Sequence, residues 1–197
     1  MLHINGRMAI LTKNYYSQFA EDKFIMENFV VPEMGFYLDV GCSHPREQSN
    51  TAFLRDMGWK GLSIDGNPAW GEHWINIGRE EEFLNRVITD SFKSVAFKVP
   101  NCIHYARIEP LTPTHQGFTL DQILRERGIW KLDFLSLDIE GGEYDAMMGL
   151  DSRLLPPMII SEYNTAGIGE DFRVRDYLVN LGYRIAHQTI ANMIFTK

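Results

Sequence analysis

Five short apolar runs in this sequence close on carboxylates. "FYLDVG" carries Asp39 with Gly41, "GLSID" ends in Asp65, "RVITD" in Asp90, "LDFLSLDIE" in Asp138 with Glu140, and "PMIISE" in Glu162. Open parallel sheets bind ligands outside the carboxyl ends of their strands, so these acids are expected around one crevice. Such a crevice suits a ligand with hydroxyls and positive charge, and it would repel one rich in phosphate. The first turn reads G-C-S-H-P where a pyrophosphate would need G-x-G-x-x-G, and G-x-x-x-x-G-K-[ST] is absent.

S-adenosylmethionine has the matching chemistry: a ribose diol, an adenine amine, an ammonium and a sulfonium. Asp65 is placed to accept both ribose hydroxyls, and Gly41 lets the chain approach the methionine portion. Asp39 would act on the amino-acid end, directly or through water, and Asp90 would accept from the adenine amine. Methyl transfer to a hydroxyl needs the acceptor oxygen held roughly 3 Å from the methyl. A base that removes the hydroxyl proton adds a factor of about 10² to 10⁴. Asp138, Glu140, His44 and Glu162 are the candidates for that base. Asp138, Glu140 and Glu162, with His44, would also offer the hard ligands that Mg²⁺ prefers, but spacing alone does not establish a metal, and a metal-free base is the expectation. Glu143 reads as an acid favoured by the dipole of a helix first turn. Trp59, Trp70, Trp74 and Trp130 read as packing residues, with stacking on a sugar as the alternative.

The elements that must position these residues alternate between strand and helix. The pattern predicts an α/β fold with helices on both faces of a mainly parallel sheet: five parallel strands, then an antiparallel C-terminal hairpin at "YRIAHQ" and "ANMIFTK". Helices are expected over Ser17 to Val30, after Ser49 or Asn50 as N-cap, from Thr119 to Gly128 with Gln122 at the capping-box position, and over "EDFRVRDYLVNLG". "RVITD" is expected as the third parallel strand, and "SVAFKV" and "HYARI" as extended parts of an insertion.

At 197 residues and 45% apolar content, one domain is the expectation. A net charge of −7 argues against a nucleic-acid binder. Cys42 and Cys102 form no C-x-x-C and suit reduced thiols in a cytoplasmic protein. No stretch of 18 apolar residues and no secretion signal is present, so a soluble, unexported protein is expected.

"YSQFAEDKFI", "FYLDVGCSHPREQSNT", "GWKGLSIDGNP", "TLDQIL" and "LDFLSLDIEGGEYDAM" resemble, in order and approximate spacing, the successive signatures of the FkbM-like family of S-adenosylmethionine-dependent methyltransferases. The resemblance covers nearly the whole chain. It implies a Rossmann-like class I methyltransferase sandwich over residues 1–197, with an N-terminal helical cap (1–35) and a core (36–197) carrying a β insertion near 91–117. It further implies O-methylation of a sugar, glycan or small natural product. The cofactor-contacting set is then Gln18, Asp39, Gly41, Ser43, Asn50, Asp65, Asn67, Asp90 and Asp138. This chain departs from the family pattern at Cys42 and Ser43, where Ala and a polar residue or His are common. The alternatives are a nucleic-acid methyltransferase and a non-catalytic S-adenosylmethionine-binding protein. "DIEGG" stands where the nucleic-acid enzymes carry Asn or Asp, Pro-Pro and an aromatic, which argues against the first.

Overall fold

The computed structural model describes residues 14–99, 106–109 and 112–197. In chain order the strands are β1 (Phe36–Val40), β2 (Lys60–Asp65), β3 (Phe83–Asn85), β4 (Val87–Ile88), β5 (Lys93–Lys98), β6 (Arg107–Glu109), β7 (His115–Phe118), β8 (Phe134–Leu137), β9 (Met158–Glu162), β10 (Asn164–Thr165), β11 (Gly169–Glu170), β12 (Arg184–Gln188) and β13 (Asn192–Thr196). The helices are α1 (Glu21–Asn28), α2 (Ala52–Asp56), α3 (Gly71–Asn76), α4 (Leu120–Glu126), α5 (Glu143–Met148) and α6 (Arg173–Asn180).

The central sheet runs β12-β13-β9-β8-β1-β2-β3. Its five strands β9, β8, β1, β2 and β3 are parallel, and β13 lies antiparallel between β9 and β12. Five parallel strands followed by a hairpin were expected; that the last strand inserts beside β9 was not. The chain leaves β1 toward β2 on one side and returns to β8 on the other, so strand order reverses between β1 and β8. A crevice opens at such a point because the connections on either side diverge.

Alternation along the strands sorts the core. Leu38, Val40, Leu62, Ile64, Leu135 and Leu137 pack with α4, α5 and α6 through Leu120, Leu124, Met147 and Leu178. Tyr37, Phe134, Ile160 and Ile194 point to the other face, where Ile25 of α1 and Phe53 and Leu54 of α2 cover them. Asp39, Ser63 and Ser136 are register partners across β2, β1 and β8. These three form a polar row on the α2 side of an otherwise apolar sheet.

Several local expectations are corrected. The third parallel strand is Phe83–Asn85, not "RVITD": the Arg86 amide still reaches the Asp65 carbonyl at 3.0 Å, then the chain bends away and Val87–Ile88 pair with β7. That second sheet, β4-β7-β5-β6, is the insertion, and part of "HYARI" and Cys102 lie outside the described residues. Helix α1 begins only at Glu21, because Ala20 is left-handed at φ 63°. Thr51, not Ser49 or Asn50, is the residue before α2, although the Ser49 hydroxyl accepts from the Thr51 and Ala52 amides at 3.3 and 3.1 Å and so does the capping. Thr119 caps α4 as expected, accepting from the Gln122 amide at 3.1 Å, while the Gln122 side chain bonds Glu126 and leaves the reciprocal half of the box unmade. Trp59, Trp70 and Trp74 are buried and Trp130 is exposed. Among the described residues, no helix is long and apolar enough to cross a membrane.

Candidate active site

A cavity of about 670 Å³ opens at the carboxyl ends of β1, β2 and β8, with the insertion sheet as its far wall. Gly41 ends β1 at φ +81°, and its amide and that of Cys42 bond the Ile64 carbonyl at 2.8 and 3.1 Å. A Cβ at position 41 would lie 1.6 Å from the Asp138 carbonyl oxygen. Only glycine permits β1 and β8 to end this close together.

Asp65 closes β2 inside the cavity. Its Oδ2 accepts from the Ser43 amide at 3.0 Å and its Oδ1 from the Asn67 amide at 2.8 Å. A carboxylate has about four acceptor sites, so two remain for a ligand. Burial pushes this carboxyl up to about 6. Asp39 lies deeper; burial raises it, while the Thr51 hydroxyl donates to Oδ2 at 2.6 Å and the Arg55 guanidinium pulls it back. The Asn50 side-chain amide donates to the Ser136 hydroxyl at 3.3 Å. Gln18 reaches the cavity from the segment before α1, which a bridge between Ser17 and Gln48 ties to the loop after β1.

The β8–α5 turn carries the densest charge. Oxygens of Asp138, Glu143 and Glu162 lie within 4.8 Å of one another. Burial and the neighbouring carboxylates, Glu162 first among them, keep Asp138 well above the usual range, and burial raises Glu162 as well. Glu162 also accepts from the Thr165 hydroxyl at 2.7 Å. Glu143 Oε1 accepts from the Ile139 and Gly141 amides at 2.8 and 3.2 Å, which ties it to the turn ahead of α5, and burial raises it to about 7. The converging trio therefore contains Glu143 where the sequence suggested Glu140. The three carboxylates stand close enough to share a cation, although Glu143 Oε1 already accepts from two amides. Glu140 stands apart at φ 60°; its Oε2 is buried with no hydrogen-bond partner among the described residues. Burial first, then the charges of Glu162 and Glu143, raise it to about 8, partly offset by Arg107.

Of the candidates named from the sequence, Gln18, Asp39, Gly41, Ser43, Asn50, Asp65, Asp138 and Glu140 line the cavity. Four other candidates do not line it. His44 Nδ1 accepts from the Arg46 and Glu47 amides at 3.2 and 2.9 Å, holding the turn beside the cavity. Asn67 is buried and accepts from the Ala69 amide at 3.1 Å, capping the turn after β2. Asp90 is exposed and pairs with Lys93 at 2.5 Å in the β4–β5 turn, because the strand expected to end in it is not part of the central sheet. Glu162 sits behind Asp138. The cavity also has lining residues not singled out from the sequence: Ser136, Arg86, Lys93, Arg107 and Ile168. Ser136 had a signal, a polar residue inside "FLSLD"; Arg107 had none, since the pairing of its strand was not legible.

A mostly parallel α/β sheet with an acid-floored cavity at its switch point is consistent with a methyltransferase-like α/β fold. Residues 39–185 match the family model described as Methyltransferase FkbM domain. The chain belongs to that family, and membership makes it a methyltransferase. Neither the curated proteins nor the solved structures compared with it gave a match.

Proposed function

We propose that this chain transfers a methyl group from S-adenosylmethionine to a hydroxyl of a sugar, glycan or small natural product, with the segment before β1 as a cap over the cofactor side of one catalytic domain. The observation that carries the reading is Asp65, fixed by two amides with acceptor capacity left over, beside a Gly41 that admits no side chain. That pair fits a ribose diol next to an amino-acid group brought close to backbone. S-adenosylmethionine, when bound, supplies an electrophilic methyl on a positively charged sulfur. Asp65 holds the diol, Asp39 and Asn50 line the floor beneath it, and Gln18 and Ser43 close the near side.

The chain's own task is then to orient the acceptor and to hold its proton. Glu140 is assigned as the base, since the residue lines the cavity and its Oε2 has no hydrogen-bond partner among the described residues. Asp138, raised by burial and by Glu162 beside it, lines the floor next to Glu140. No divalent ion is required in this reading.

Calorimetry tests the cofactor half. S-adenosylmethionine and S-adenosylhomocysteine should both bind, and Asp65→Ala should weaken each by about 1.5 to 3 kcal/mol for every charge-assisted hydrogen bond lost. No binding to the wild type would overturn the reading, and unchanged affinity in the variant would move the diol elsewhere. Labelled cofactor incubated with fractionated glycans, lipids and nucleic acids tests the acceptor half: label should enter glycan or small-molecule fractions.

A further inference from the structure

The acidic floor faces a basic wall that the proposed cofactor leaves unassigned. Residues 91–117 carry Lys93, Lys98 and Arg107 against the one carboxylate Glu109, in a chain of net charge −7. This segment supplies β5 and β6, and the cationic side chains that line the cavity are Arg86, Lys93 and Arg107. They differ in how fully they are already engaged. Lys93 is held by Asp90 at 2.5 Å. Arg86 donates to the Asn85 carbonyl at 2.8 Å and lies 5.0 Å over the Phe118 ring.

Arg107 is held more loosely. Its Nε stands 3.6 Å from Glu109 Oε1, and Glu109 is shared with Lys98 at the same distance. Both separations exceed hydrogen-bond length. A guanidinium has five N–H donors in a planar fork suited to carboxylate and phosphate. Arg107 also bears on the reacting side of the cavity, since its charge is what offsets the burial of Glu140. Next to it, Ile108 is 41% exposed, and Ile168 on the β10–β11 hairpin is 55% exposed, and both line the cavity. A ligand lodged there meets one cation and two aliphatic surfaces. The ammonium and sulfonium of the proposed cofactor belong on the acidic floor, and its carboxylate, on the same carbon as the ammonium, stays with the amino-acid group beside Gly41, so Arg107 on the insertion wall addresses the acceptor.

We infer that Arg107 is an anion-recognition residue of the acceptor site, and that the acceptor is a polyhydroxylated compound bearing a carboxylate or phosphate near the hydroxyl that is methylated. The inference rests on the proposed function only in placing the acceptor in this cavity.

Ligand-observed NMR titration with glucuronate, glucose 1-phosphate and glucose, with and without S-adenosylhomocysteine, tests it. At least one charged probe should bind roughly tenfold or more tighter than glucose, and the preference should shrink at high salt. Arg107→Gln should abolish the preference, while Arg107→Lys, which keeps a point charge, should retain part of it; thermal melting confirms that both fold. Preference for glucuronate alone identifies a uronic-acid-like acceptor, and preference for the phosphate alone a sugar phosphate. Equal binding of all three probes, binding of none, or a preference that survives Arg107→Gln would overturn the inference. Failure of the methyl-transfer reading shows separately, as absent S-adenosylhomocysteine binding. A role for Arg107 confined to holding Glu109 would not discriminate charged from neutral probes.

Discussion

Ser43, Gln48 and Glu140 adopt positive φ angles of 50°, 58° and 60°, and all three line the cavity. Residues with side chains resist that conformation, and it persists only where surrounding structure enforces it, most often at working sites. Glu140 adds a buried oxygen without a partner and a carboxyl raised to about 8. A base must be deprotonated to accept, so kcat/KM on an identified acceptor should climb as pH rises through about 8. Glu140→Gln should lower turnover by roughly 10² or more and remove that limb, while S-adenosylhomocysteine affinity stays within about twofold. Near-normal rates in the variant would transfer the assignment to Asp138, tested as Asp138→Asn.

The elements meet most tightly where β1 and β8 end. Gly41 combines a left-handed φ with a position where any Cβ collides with the Asp138 carbonyl, whereas Gly58, after α2, has φ +92° and open space around it. The two glycines separate backbone strain from collision. Gly58→Ala should cost about 1 to 2 kcal/mol, the left-handed penalty alone. Gly41→Ala should cost more than about 3 kcal/mol and abolish S-adenosylhomocysteine binding, because the strand ends must part. Urea midpoints and calorimetry read both effects; equal costs for the two substitutions would refute the close approach.

Across the whole molecule, the site carboxylates set an unusual pH dependence. Asp65, Glu140 and Glu143 are raised to about 6, 8 and 7 from ordinary values of 3.8, 4.5 and 4.5. Between their unfolded and folded values the native state binds more protons than the unfolded chain, so stability falls as pH rises from about 4 to 8. Asp90, Asp151 and Asp171 run the opposite way: Arg153 holds Asp151 down at about 2, Lys93 and Arg173 lower the other two, and their contribution is lost as pH falls through their depressed values. The melting temperature should therefore peak at mildly acidic pH and decline toward pH 8.5. Glu140→Gln and Glu143→Gln should each flatten the alkaline decline, and a maximum at pH 8 or above would contradict the burial of these groups.

The sequence by itself determined the alternation of strand and helix, four of the five parallel strands and the acids at their ends, because apolar periodicity and turn residues act over a few neighbours. It also determined the Thr119 cap and the small residue required at Gly41. Tertiary structure decided what depends on distant partners. Which of "FLN" and "RVI" joins the central sheet was settled by the ladder to β2, and with it Asp90 moved from strand tip to exposed turn. Glu143, not Glu140, joined Asp138 and Glu162 because the α5 first turn directs it back over β8. Arg107 reached the cavity only through the pairing of β6 with β5, a contact between segments whose sequences carry no mark of each other.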